Sequence, residues 1–119
     1  MQNEDLLGVP FVWRGQFPEG LDCFGLLTEV RRRCGVETPD YSWVYERWSE
    51  AEFDPHHIRE WVEQRPLSTP YTPGALATRD NHRGPCLLTS DGTSAFYISP
   101  SMRVAAVPVE AVRNAEWRI

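Results

Sequence analysis

The chain has 119 residues, 41% of them hydrophobic and 24% charged, which suits one ordinary globular domain large enough to bury a core. Five Trp, five Phe and four Tyr supply apolar surface and argue against disorder. The formal charge of −5 argues against a general nucleic-acid binder, which would carry a basic stripe.

No apolar run approaches the ~20 residues that cross a bilayer. The polar, acidic start from Met1 to Asp5 does not read as a secretory signal. Neither membrane nor nucleic acid is therefore expected as a partner. The three cysteines, Cys23, Cys34 and Cys86, form no CxxC pair and no even framework, so three free thiols in a reducing cytoplasm are expected.

In chain order, Glu4 to Leu7 is expected to form a short helix, with Asn3 as N-cap and Gly8 as stop. Pro10 to Gly20 reads as a loop. Cys23, Leu26, Leu27, Val30 and Cys34 then fall on one helical stripe, with Asp22 placed to cap it, Arg31 to Arg33 at its negative end and Gly35 after it. Between Pro39 and Pro66 the chain reads as mostly helical. Tyr41, Val44, Tyr45 and Trp48 would share one face, and Asp54-Pro55 would open a helix that buries Ile58, Trp61 and Val62. From Gly74 the pattern turns to strands: Ala75 to Thr78, Cys86 to Thr89, Ser94 to Ile98 and Met102 to Val107. Asp91-Gly92 signals a hairpin, and Pro108 to Arg113 a last helical turn. Helices first and an antiparallel sheet second make an α+β domain, with the Cys23 helix packed on the sheet.

A cysteine in the first turn of a helix is either a small apolar core residue or a nucleophile. The helix dipole and free N–H groups there lower a thiol's pKa and can hold an oxyanion. Cys34, about three turns along the same helix and ~16 Å away, is out of disulfide reach of Cys23.

The segments around Cys23 bear on that choice. Leu7-Gly8-Val9-Pro10-Phe11-Val12-Trp13-Arg14-Gly15, Leu21-Asp22-Cys23-Phe24-Gly25-Leu26-Leu27 and Gly35-Val36-Glu37-Thr38-Pro39 resemble the signature of the NlpC-type, papain-like cysteine peptidases. That family shows G-x-P-Y-x-W-G-G, D-C-S-G-L, a helix and G-x-x-x-P. An aromatic residue after the cysteine resembles the variant found in tail-tip proteins of tailed bacteriophages. The likeness spans Leu7 to about Tyr41. Pro73-Gly74-Ala75-Leu76 and Leu87 to Gly92 resemble later strands of the family, whereas residues 42–72 match nothing in it.

The resemblance implies a papain-like, single-domain fold over residues 1–119. It also implies a cysteine nucleophile with a histidine base, a polar orienter, a site tyrosine, and the peptide stem of bacterial cell wall as substrate class. The chain departs from that pattern. Phe11 stands at the tyrosine, Ala75 at a usual aspartate, Gly84 at the base, and Ile98 near the orienter with Ser99 the nearest polar residue. His82 is a rescue candidate, because a shift of two residues keeps a side chain on the same strand face, ~6.6 Å along. Pro85 disfavours a regular central strand there. The other reading of His82 is an exposed histidine in the loop Asp80-Asn81-His82-Arg83.

His56 and His57, adjacent on a helix, make a poor metal pair, and no Cys/His spacing suits zinc. No cofactor and no metal are expected. The leading expectation is a structural component of a phage or phage-like tail tip or baseplate. It would be a virion protein made in the host cytoplasm, a pseudoenzyme with other tail proteins as partners and Trp43, Tyr45 and Trp48 as exposed interface aromatics. The competing expectations are a cysteine hydrolase of peptidoglycan stem peptides, using Cys23 with His82, and a binding module for such peptides without turnover.

Overall fold

Asp22 stands in extended backbone immediately before the first helical residue. Its side chain accepts the Gly25 N–H at 2.8 Å, which satisfies a donor that the helix itself leaves open. From that cap the central helix α1 runs Cys23–Arg33, with Phe24, Leu26, Leu27 and Val30 buried and Cys34 as its C-cap. Gly35 follows at φ 73°, a left-handed conformation that glycine adopts without penalty.

The computed structural model describes residues 2–81 and 84–119. The chain is an α+β domain. A short 3-10 helix, Glu4–Leu6, precedes α1. Two more helices follow, α2 (Ser42–Arg47) and α3 (His56–Glu63), and then four strands, β1 (Leu76–Asn81), β2 (Gly84–Ser90), β3 (Ser94–Tyr97) and β4 (Ala105–Pro108). The strands form one antiparallel sheet in the order β1-β2-β3-β4. A 3-10 turn at Val109–Val112 closes the fold.

Helices α1 and α3 pack on one face of the sheet. Phe24 and Leu27 of α1, Ile58, Trp61 and Val62 of α3, Leu76 and Leu87 form one cluster there. Leu26 and Val30 extend α1's contacts to Leu6, Phe96, Ile98 and Val104. The opposite face, with Ala75, Ala77, Leu88 and Ala95, is covered by Val109, Val112 and Trp117. The expected packing of the Cys23 helix on a sheet formed after Gly74 is therefore present. So is the turn at Asp91-Gly92, where Asp91 Oδ1 accepts the Thr93 and Ser94 N–H groups.

Four local expectations need correction. Asn3 stands at the N-cap position, as expected, but its side chain does not cap: the residue lies at φ 64° and its side chain donates to Asp91 Oδ2 at 2.9 Å. Strand β1 runs on through Arg79, Asp80 and Asn81, because each pairs with a residue of β2, so this stretch is strand and not loop. Pro85 sits inside β2, opposite Asp80, where the β2–β3 ladder has not begun; that ladder holds Thr89 with Phe96 and Ser90 with Ala95. The missing N–H therefore costs no bond to β3. Finally, Met102 and Val104 lie outside β4, although the Val104 N–H donates to Val9 O and its carbonyl accepts the Gly8 N–H.

Candidate functional site

Cys23 sits where the two helix-side clusters meet, half-buried, with apolar neighbours from both. A small notch of about 80 Å³ opens beside it. Phe11, Trp13, Ile58, Cys86 and Ile98 line the notch, and Glu50, Asn81 and Ser99 are its polar lining. Phe11 is brought there by its backbone: its N–H donates to Met102 O, and it bridges to Leu21 next to the Asp22 cap. Thus Phe11, Cys23 and Ile98, far apart in sequence, converge on one notch. At the positions of the family's tyrosine and orienter, Phe11 and Ile98, the lining is apolar where nucleophile chemistry needs donors and acceptors.

The thiol's pKa is shifted up, not down. Burial pushes the Cys23 pKa well up, and the neighbouring Asp22 carboxylate and Cys86 push it further. The Phe24 and Cys23 N–H groups at the start of α1 pull the other way and are outweighed. This corrects the expectation of a lowered thiol pKa. The helix-start effect is present, but it is small beside the cost of burying a thiolate between aromatic and aliphatic walls.

Asp22 does more than cap. Fully buried, it accepts the Gly25 N–H on Oδ1, and on Oδ2 both the Arg14 N–H at 2.9 Å and the Tyr45 hydroxyl at 2.7 Å. Tyr45 in turn meets Trp13 edge-on at 5.2 Å and lies under the Arg14 guanidinium at 5.0 Å. Burial, and the negative charge it faces on Asp22, raise the Tyr45 pKa, so its hydroxyl stays a proton donor. The sequence pointed to Asp22 as a cap only. Nothing local signals the tyrosine, which arrives from α2.

The other anticipated residues fall as follows. Gly84 opens β2 at φ 108°, and a Cβ built there would lie 3.6 Å from Pro55 Cβ. The backbone at the family's base position thus has a conformation that a histidine would enter only with strain. Ala75 is fully buried in the cluster on the far face of the sheet. Ile98 is buried, and Ser99 lines the notch. His82 lies outside the described residues. His57 stacks on Trp48 with ring centroids 4.3 Å apart, and His56 is exposed. Among the described residues no group of three His, Cys, Asp or Glu side chains is placed to hold a metal ion.

Trp43, Tyr45 and Trp48 are half-buried rather than exposed. They pack on the Phe24 cluster through Trp43–Trp48, Trp13–Tyr45 and Trp48–Phe53 contacts at 5.2–5.9 Å. These aromatics build the domain's own core, because the short helices α2 and α3 offer few aliphatic side chains to cover Phe24. Cys23, Cys34 and Cys86 are all free thiols, as expected. No described helix is long and apolar enough to cross a membrane. In comparisons with protein-family models, curated proteins and solved structures, nothing matches this chain.

Proposed function

We propose that the chain is a structural component of a phage or phage-like tail tip or baseplate, built on a catalytically degenerate, papain-like NlpC-type fold. Its partners are other tail proteins, and its place is the virion tail after synthesis in the host cytoplasm. The reading rests on the resemblance of Leu7 to Tyr41 to the family, together with one geometric observation. The residues standing at the family's nucleophile, tyrosine and orienter positions gather around a single notch, and only the nucleophile keeps a reactive atom.

Three physical features support loss of turnover. A thiol whose pKa is raised by burial gives little thiolate at neutral pH. The leaving amine needs a proton donor and the acyl-enzyme an activated water, and Phe11 and Ile98 offer neither. The notch, about 80 Å³, lies well below the roughly 300–1,000 Å³ of ordinary ligand sites.

A second reading, hydrolysis of peptidoglycan stem peptides with Cys23 as nucleophile and His82 as base, is favoured by one observation. Asn81, next to His82 in the chain, lines the same notch as Cys23. The deciding experiment incubates stem peptides with wild type, Cys23→Ala and His82→Ala. No cleavage by wild type supports the structural reading. Cleavage by wild type that both substitutions abolish replaces it with the enzyme. Stem-peptide binding without cleavage turns it into a peptide-binding module.

A further inference from the structure

On the sheet face away from α1 and α3, the cover supplied by Val109, Val112 and Trp117 stops short of one end. The strand alternation that puts Ala77, Leu88 and Ala95 under that cover puts Arg79, Cys86 and Tyr97 beyond it. A groove of about 450 Å³ opens there, floored by Leu88 and Tyr97, walled by Met102 and edged by Arg79, Ser99 and Ser101. Its size falls in the range of small-ligand sites. It is far roomier than the notch beside Cys23, with which it shares Asn81, Cys86, Ser99 and Pro100.

The charges at this groove are unbalanced. Asp80, also in the lining, is neutralised by an ion pair with Arg59 of α3. The side chain of Arg79 next to it is exposed and makes no ion pair or hydrogen bond with any described residue. Most arginines here are otherwise committed: Arg31, Arg65 and Arg103 donate to backbone carbonyls, and Arg32, Arg33, Arg59 and Arg118 to carboxylates. An uncommitted guanidinium at the mouth of an apolar groove, in a chain of net charge −5, is a receptor for an anion. A phosphate would call for a second cation or a helix N-terminus, and the described lining has neither. A planar carboxylate matches the guanidinium fork, and an apolar group attached to it would cover Tyr97 and Met102 above the buried Leu88.

We infer that this groove binds the carboxylate end of a peptide whose last side chain is apolar, with Arg79 pairing the carboxylate and Tyr97 and Met102 holding the side chain above Leu88. Cys23 has no part in it, so the inference stands or falls independently of the function proposed above.

The test is an NMR titration of the full chain with N-acetyl-alanyl-leucine and with its C-terminal amide, in wild type, R79Q, R79K and C23A. The expected result is shifts at Leu88 and Tyr97 with the free acid, and binding about tenfold or more weaker for the amide and for R79Q, the loss expected for a charge-assisted pair. R79K falls between, and C23A binds as wild type does. No binding of the free acid, equal binding of the amide, or undiminished binding by R79Q would overturn the inference. Because the Arg79 side chain is exposed and bonds to nothing described, R79Q keeps the fold, and an unchanged spectrum away from the groove checks that.

Discussion

Tyr45 donates its hydroxyl to Asp22 Oδ2 at 2.7 Å, joining α2 to the start of α1 across 23 residues of chain. The same carboxylate holds the Gly25 and Arg14 N–H groups. A hydrogen bond to a charged group contributes about 1.5–3 kcal/mol, and a buried acceptor left short of partners costs more than an exposed one. Tyr45→Phe should therefore lower unfolding stability by about 1–2 kcal/mol, since Tyr45 is only half-buried and Asp22 keeps two donors. Asp22→Ala should cost more, about 2–4 kcal/mol, because it removes the helix cap and orphans the Arg14 N–H as well. Urea denaturation of both variants checks the order. An unchanged stability in Tyr45→Phe would mean that Asp22 acts as a cap alone.

The Cys23 thiol should alkylate slowly. With its pKa raised by burial, by Asp22 and by Cys86, little thiolate exists at neutral pH, and the walls of the notch hinder approach. Iodoacetamide should modify Cys23 in the native protein at least about tenfold more slowly than in urea-unfolded chain at pH 7, with the rate rising as pH passes the ordinary thiol range. Peptide mapping by mass spectrometry resolves the three cysteines. Rapid modification of Cys23 at neutral pH would show an activated nucleophile instead.

Local signals made the elements legible, and they did not reveal what the elements bring together. The α1 stripe, the Asp22 cap, Gly35 and the Asp91-Gly92 turn each depend on neighbours within a few residues, and each was readable. The Asp22–Tyr45 bond, the packing of Trp48 on His57 and the groove at Arg79 depend on chain segments meeting across the fold. The thiol illustrates the difference. Its place at a helix start was plain from Asp22-Cys23, but the sign of its pKa shift follows from burial among Phe11, Trp13 and Ile98, which arrive from two other segments. Likewise Trp43 and Trp48 look like surface aromatics in an acidic stretch, until Phe24 is found to need covering.

Cys86 links pH to stability. Burial pushes its thiol up to about 11 from an ordinary value of 9.0, with a backbone hydrogen bond at Ile98 and the Arg79 charge drawing it partly back. The folded pKa lies above the unfolded one, so the native state holds the proton more tightly. The contribution is full below about pH 9 and is lost as pH rises through about 11. Two units correspond to about 2–3 kcal/mol at the upper end of that window. Cys23 is shifted in the same direction and adds to the slope. Urea midpoints should be level around neutral pH and fall between about pH 9 and pH 11, with a shallower fall in Cys86→Ala. A flat profile over that window would show that the thiol is not buried as described.

Arg31, Arg32 and Arg33 look alike in sequence as charges at the end of α1, yet they do different things. Arg32 pairs with Glu29 at 2.7 Å on the surface, and Arg33 binds Asp5 at 2.7 Å and Glu29 at 3.0 Å. Arg31 is buried. Its guanidinium donates to Glu37 O at 3.0 Å and to Gly74 O at 2.7 Å, and meets no carboxylate. It fastens the end of α1 to the loop after it and to the residue that precedes the sheet. Burial lowers its pKa, with nearby Arg65 adding to this, but the group stays charged, so its carbonyl partners carry the cost of desolvating it. Arg31→Met fills the space and removes the charge while leaving those carbonyls without donors, at about 1–3 kcal/mol for each orphaned buried group. Arg31→Lys keeps the charge but cannot span both carbonyls from one fork. Arg32→Met should change stability by less than about 1 kcal/mol, since an exposed ion pair contributes little. The expected order of urea midpoints is Arg32→Met highest, then Arg31→Lys, then Arg31→Met; a loss at Arg32→Met equal to that at Arg31→Met would reduce Arg31 to one more solvated charge.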